Sequence, residues 1–177
     1  MRNLFFSFAF LLLVNHANAL DIKGQKVDLP VNCEKIRQLE TRPGTFVDSC
    51  SAGRSSWMQQ VSFGSSKVMM SFYQSKSGIL SSIVVNFNEP SEFQETIDAL
   101  SLKFGEPISF EQSTVQNRVG AKFEQKEAVW RDGAEEIRLS LHGFRLGKPM
   151  LVYHGAQWIQ DIKEERLNKS RKGAENL

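Results

Sequence analysis

The stretch "NEPSEFQETIDALSLKFGEP", residues 88–107, decides the fold because a helical pattern here replaces a strand-like one. Its apolar side chains recur at i, i+4, i+7 and i+11, on one side of an amphipathic helix: Phe93, Ile97, Leu100 and Phe104. Gly105 and Pro107 follow, where a left-handed glycine and a stop residue are typical. A phosphate-binding loop would instead place its glycines before a helix. We therefore predict a central helix over residues 91–104 that ends at Gly105.

The start of this helix carries its own signals. Ser91 and Gln94 have the spacing of a capping box, in which each side chain satisfies a backbone N–H group of the first turn. We expect the acidic side chains to lie on the solvent side, where two of them also favour the helix dipole: Glu92, Glu95 and Asp98.

Strand-like runs separated by small polar turns flank the helix on both sides. Three precede it and four follow it: residues 56–63, 67–73, 79–87, 108–113, 121–130, 135–144 and 150–155. Residues 21–27 form a further, short candidate strand. The Asp132-Gly133 pair favours a tight hairpin turn, and short turns imply antiparallel neighbours. The sequence therefore predicts an α+β fold, with an antiparallel sheet, in one piece or as two β-rich halves, packed on the central helix.

The first residues have the pattern of a secretory signal peptide. Arg2 precedes an eleven-residue apolar run, and Ala17 and Ala19 flank a small-residue cleavage motif. The run is shorter than the roughly 20 residues that a spanning helix needs. We predict cleavage between Ala19 and Leu20, no transmembrane anchor in the mature chain, and a periplasmic or secreted location.

The mature chain then comprises a single domain, residues 20–156, and a C-terminal tail, residues 157–177, that is partly helical or frayed. Its two cysteines, Cys33 and Cys50, are the whole cysteine content of the protein. In an oxidising compartment such a pair predicts a disulfide, worth about 3 kcal/mol in the chain-entropy model. It would fix a short N-terminal helix that begins after Asn32, a plausible N-cap. The alternative is a reactive thiol with a resolving partner.

The charge balance of the mature chain excludes some partners. Removing residues 1–19 removes only Arg2 among the charged side chains and leaves a net charge of +1. Nucleic acids and anionic membranes both select clustered positive charge. We therefore predict no nucleic-acid partner and only weak docking to a membrane surface.

Catalytic patterns are sparse. After the signal segment only His142 and His154 remain as histidines, too few for a zinc site without further ligands, and no cofactor motif is present. Neighbouring acids on a strand point to opposite faces, so we expect the carboxylates of two pairs to be solvated: Glu124 with Glu127, and Glu135 with Glu136. We predict no catalytic, metal or cofactor-binding residue.

A set of segments resembles a group of small, uncharacterised exported proteins of Gram-negative bacteria: "VNCEKI", "RPGTFVDSC", "ALSLKFGEP" and "AKFEQKEAVWRDG". A helix that ends in K-[FY]-G-x-P before a strand also occurs in periplasmic α+β modules, including those similar to the β-lactamase inhibitor protein. The resemblance implies a periplasmic or secreted protein and carries over no catalytic residue.

These observations favour a non-catalytic module that binds a protein or another envelope component. One helix is too little to cover both faces of a seven-stranded sheet, so we expect one face to be available for binding. Two alternatives remain. One is a small hydrolase that uses acidic residues or His142 and His154, and the other is a structural component of an envelope assembly that docks through the tail from Trp158.

Overall fold

Seven strands pair into one antiparallel sheet in this computed structural model, which describes residues 19–39 and 56–174. Three helices complete this part of the chain. In chain order the elements are α1 (Cys33–Arg37), β1 (Ser56–Phe63), β2 (Ser66–Gln74), β3 (Leu80–Asn86), α2 (Glu92–Phe104), β4 (Ser109–Gln116), β5 (Lys122–Asp132), β6 (Glu135–Arg145), β7 (Lys148–His154) and α3 (Ala156–Ala174).

The sheet has the strand order β1-β2-β3-β7-β6-β5-β4. The two predicted β-rich halves, β1–β3 and β4–β7, are therefore one sheet, joined where β3 pairs with β7 in the register Ile83–Tyr153 and Val85–Leu151. The α+β prediction is confirmed at this level. The expectation that the sheet is organised around one central helix is wrong, because the continuous sheet is the centre and α2 lies on one of its faces.

Every second strand residue points to what we call the core face of the sheet. One row across five strands is buried and consists of Phe72, Ile83, Tyr153, Ile137 and Trp130. The predicted apolar stripe of α2 packs on this face, together with apolar residues of the N-terminal segment: Leu20, Ile22, Val27 and Ile36. Nearly all of the hydrophobic core therefore lies on one side of the sheet.

The predicted end of α2 is confirmed at Gly105, which has φ +85° and ψ 179°. The positive φ needs glycine, although ψ is extended rather than left-handed helical. The Gly105 carbonyl accepts a hydrogen bond of 2.8 Å from the indole Nε1 of Trp130 on β5. This glycine therefore ends the helix and ties it to the sheet.

The start of α2 differs from the prediction. Ser91 makes no side-chain capping bond. Instead the Glu92 carboxylate, predicted to face solvent, is buried and accepts 2.7 Å bonds from the backbone N–H groups of Asn88 and Glu89. Burial raises the pKa of Glu92, but hydrogen bonds from Ser66 and from these two N–H groups outweigh it, so the pKa is lowered.

We expect Glu92→Ala to lower the free energy of unfolding by about 1–2 kcal/mol, the usual cost of losing a cap, because two backbone donors lose their acceptor. Ser91→Ala should change it by less than about 0.5 kcal/mol, as a surface substitution does. Urea unfolding of both variants makes the comparison. A larger loss for Ser91→Ala would show that the capping box forms after all.

The N-terminal segment also departs from prediction. Residues 21–27 do not form a strand; Lys23 and Gly24 form a tight turn, with φ +55° and +72°, inside the single bridge between Ile22 and Gln25. Such a short segment holds its place through buried apolar side chains rather than through a strand ladder.

Other predictions fall partly on residues that the structure does not describe. Cys50 lies outside the described residues, so the Cys33–Cys50 disulfide stays a prediction. Most of the signal segment, residues 1–18, lies outside them as well; Ala19 is exposed and Leu20 is buried. Within the described residues no helix has the length and apolar character needed to span a membrane.

Candidate functional site

The opposite face of the sheet, which we call the outer face, is only partly covered. One row of it crosses five strands in register and consists of Tyr73, Ser82, His154, Glu136 and Arg131. Helix α3 lies over the β2–β3 end of this row, where the Trp158 and Tyr73 rings are 5.6 Å apart between centroids and tilted by 60°. Two features therefore share the outer face: the contact of α3 with β2 and β3, and a charged network on β5 to β7.

The N-terminus of α3 is fixed by a residue distant in sequence. The Asp28 carboxylate accepts hydrogen bonds from the backbone N–H of Ala156 at 2.7 Å and of Gln157 at 3.0 Å. Asp28 is itself held because its N–H donates to the Leu80 carbonyl at 2.8 Å. Gly155 allows the close approach, since a Cβ there would lie 2.3 Å from Asp28 Oδ2. A non-local cap thus sets the direction in which α3 leaves the sheet.

With α3 in this orientation, an open groove of about 510 Å³ lies between the helix and the β2–β3 turn. Helix α3 contributes one face, with spacing i, i+1, i+4, i+7, i+8 and i+11: Gln157, Trp158, Asp161, Glu164, Glu165 and Asn168. The other wall comes from the end of β2, the turn and Ser81 on β3: Tyr73, Gln74, Ser75, Lys76, Ser77 and Ser81. The volume falls in the range of small-ligand and peptide-anchor sites.

The β2–β3 turn, which forms part of this second wall, is held by hydrogen bonds between its own residues. The Ser75 N–H donates to the Ile79 carbonyl at 2.9 Å, the Ile79 N–H donates to Ser75 Oγ at 3.2 Å, and the Ser75 and Ser77 hydroxyls are 2.8 Å apart. Both walls of the groove are therefore held by hydrogen bonds that do not need a ligand.

The groove combines two aromatic rings with an acidic wall. Its lining carries three carboxylates, on Asp161, Glu164 and Glu165, against the single cation of Lys76. Asp161 accepts a 2.8 Å bond from the neutral amide of Gln157, so its charge is not cancelled. Glu165 pairs with Lys169 at 2.7 Å, and this contact lowers the pKa of Glu165. Carboxylates beside the faces of Trp and Tyr rings suit a cationic group.

The second feature is a network of arginines and carboxylates on β5 and β6. Arg138 bonds to the Glu136 carboxylate through Nε at 3.1 Å and Nη2 at 2.8 Å, and also to Glu127. Arg131 binds the other oxygen of Glu136, and Ser140 donates to Glu127 at 3.0 Å. Burial raises the pKa of Glu136, but the hydrogen bonds from both arginines outweigh it and the pKa is lowered.

The two candidate histidines of the sequence do not meet. His154 lies opposite Glu136, whereas His142 lies six residues further along β6, about 20 Å away at the usual strand rise. Burial and the neighbouring arginines lower the pKa of His154 despite the opposing Glu136 carboxylate. His142 accepts a bond from the Gly147 N–H at 2.9 Å through Nδ1. The hydrolase hypothesis based on both histidines therefore has no shared site.

The acidic pairs behave differently from the expectation of solvated side chains. Glu135 and Glu136 do point to opposite faces: Glu135 accepts a 2.7 Å bond from the buried Tyr153 hydroxyl on the core face. Burial and then this carboxylate raise the pKa of Tyr153. Glu136 is buried and Glu127 half-buried, so solvation was the wrong expectation for them. Of these four acids only Glu124 is clearly exposed.

Comparison with known proteins gives no match: no protein-family model, no curated protein and no solved structure matches the chain. No cluster of metal-binding side chains is found in the described part of the chain. The structure thus defines an α+β protein with a seven-stranded antiparallel sheet. The site with the most distinctive chemistry is the groove beside α3.

Proposed function

We propose that this protein is a non-catalytic binding module that takes a basic segment of a partner protein into the groove beside α3. The observation that carries the proposal is the lining of the groove, about 510 Å³ in volume, in which the neighbouring Tyr73 and Trp158 rings line the same space as the acids of α3. A lysine or arginine side chain can place its methylene groups on such rings while its charge meets the carboxylates.

The network on β5 to β7 is the less suitable binding site. Its two arginines already donate to Glu136 and Glu127. A ligand there would have to break charge-assisted bonds before making new ones. In the groove, by contrast, Glu164 has no hydrogen-bond or ion-pair partner within the described residues. We therefore assign the network to stability and the groove to binding.

The proposal includes export to the periplasm or secretion, supported by the signal-peptide pattern of residues 1–19. It also includes the disulfide between Cys33 and Cys50, which such a compartment permits. A module that works outside the cytoplasm gains from a rigid scaffold, and the buried core face supplies most of that rigidity.

The test is a calorimetric titration with a peptide of alternating lysine and glycine. We expect saturable binding that weakens with salt, and a loss of about two- to fivefold in affinity for Trp158→Ala and for Glu164→Gln. Glu106→Gln removes an exposed acid just after α2 and is the matched control, expected to bind as the wild type does. Equal binding of a glutamate–glycine peptide, or unchanged binding by both groove variants, would contradict the proposal.

A further inference from the structure

Strand β4 forms one edge of the sheet. It pairs with β5 on one side, and no described residue pairs with its other side. Its eight residues therefore present a row of backbone N–H and C=O groups outward. Such a row is a template for another strand unless something blocks it.

The usual blocking features are missing from β4. The strand reads SFEQSTVQ, with no proline, no lysine and a single charge, on Glu111. Its pairing with β5 runs without a bulge from Ser109–Val129 to Gln116–Lys122. Natural sheets protect exposed edges with charges, prolines or bulges, so an unprotected edge of this length indicates a partner.

Two large apolar side chains are exposed at the start of this edge strand. Ile108, the residue before β4, is 60% exposed and Phe110 is 48% exposed. Both lie on the core face of the sheet, because Phe110 is opposite the buried Ala128 and side chains alternate along a strand. Single exposed apolar residues are ordinary, but two neighbours on one face of an unpaired edge suit an interface.

We propose that β4 is the interface of a symmetric homodimer, in which the β4 strands of two copies pair antiparallel across a twofold axis. An axis perpendicular to the sheet keeps the core faces of both copies on the same side. A residue of β4 can then pair only with a residue of the second copy whose side chain lies on the same face of the sheet. Two of the allowed registers use the whole of β4: the one centred on Gln112, with Ile108 opposite Gln116 of the second copy, and the one centred on Ser113, with Ser109 opposite Asn117. The register centred on Gln112 is the better one, because it places Phe110 opposite Thr114 rather than opposite Gln116.

The side chains fit this register. Phe110 lies opposite Thr114 of the second copy, a favourable pair of an aromatic and a β-branched residue. Glu111 lies opposite Ser113, so the single charge of the strand does not meet itself. A shift that centres the pairing on Glu111 would bring two like charges together, which is unfavourable in a sheet. The sequence of β4 thus favours self-pairing about Gln112.

The residue on the twofold axis, Gln112, lies opposite Gln112 of the second copy, and the test uses this. The wild-type chain should show a concentration-dependent dimer in sedimentation velocity. Gln112→Lys and Gln112→Glu should each weaken it about five- to tenfold, and an equal mixture of the two variants should restore it as a heterodimer. Position 112 is exposed and lies opposite Lys126 of β5, so circular dichroism and urea unfolding check that both variants keep the fold.

A cross-link tests the register itself. Gln112→Cys should give a covalent dimer under mild oxidation. Thr114→Cys, on the same face of the same strand, should not, because its copies lie four residues apart, about 14 Å. Three results would overturn the proposal. The wild-type chain could stay monomeric at millimolar concentration, the dimer could keep its affinity in both charged variants at position 112, or the equal mixture of Gln112→Lys and Gln112→Glu could remain monomeric.

Discussion

Gly155→Ala is expected to lower the free energy of unfolding by about 2–4 kcal/mol, the combined cost of overpacking and of a lost helix cap. The added Cβ would lie 2.3 Å from Oδ2, 2.5 Å from Cγ and 2.7 Å from Oδ1 of Asp28. The carboxylate must then leave the N-terminus of α3, and the N–H groups of Ala156 and Gln157 lose their acceptor. Urea unfolding measures the loss.

A double-mutant cycle separates this cause from a general effect of the substitution. In an Asp28→Ala background the obstacle to the Cβ is absent, so Gly155→Ala should cost less than about 1 kcal/mol there. Because α3 forms one wall of the groove, Gly155→Ala should also weaken binding of the lysine–glycine peptide. Additive costs of the two substitutions would show that Gly155→Ala does not act through Asp28.

The second large effect is expected at Arg138. Arg138→Met removes two bonds to the buried Glu136 and the bond to Glu127. Breaking a fully buried pair costs about 3–5 kcal/mol. Since the Arg138 side chain is 43% exposed, we expect about 2–3 kcal/mol, measured as the change in free energy of unfolding.

Two variants show whether the unpaired carboxylate is the cause. The double variant Arg138→Met, Glu136→Met should recover part of the loss, because apolar side chains of similar size replace a buried pair with little penalty. Arg118→Met, in the exposed β4–β5 turn, should stay within about 0.5 kcal/mol of the wild type. A double variant less stable than Arg138→Met alone would contradict this explanation.

The pH dependence of the network has a defined sign. The folded-state pKa of Glu136 is lowered from 4.5, so its stabilising contribution is present above that pH and is lost as the pH falls through the lowered value. Arg138→Met removes much of what lowers this pKa. The difference in free energy of unfolding between Arg138→Met and the wild type should therefore become smaller as the pH falls below 4.5.

Local patterns in the sequence predicted local structure well. The spacing of Phe93, Ile97, Leu100 and Phe104 places α2 within a residue or two. The β5–β6 hairpin turns one residue later than the Asp132-Gly133 pair, at Gly133 and Ala134, with Asp132 opposite Glu135. Hairpin turns and amphipathic helices depend on residues close together in the chain. This is why one sequence is enough to identify them.

The contacts that shape the site are not local. The pairing of β3 with β7 and the Asp28 cap on α3, 128 residues away in the chain, leave no periodic signal. The burial of Glu136 depends on the exact position of a turn. The two central residues of the β5–β6 turn are Gly133 and Ala134, and this places Arg131 opposite Glu136 on the face away from Trp130. A turn centred on the Asp132-Gly133 pair would instead have placed Arg131 opposite Ala134, so the sequence pattern did not identify this ion pair.

Binding of a basic segment in the groove beside α3 can be observed residue by residue. The experiment is nuclear magnetic resonance of the ¹⁵N-labelled chain, titrated with the lysine–glycine peptide. We expect the largest shift changes at the Trp158 indole N–H and at the backbone amides of residues 74–77 and 157–168, with little change at Arg131 and Arg138. Shifts that concentrate on β5 and β6 and leave the Trp158 indole unmoved would contradict the account.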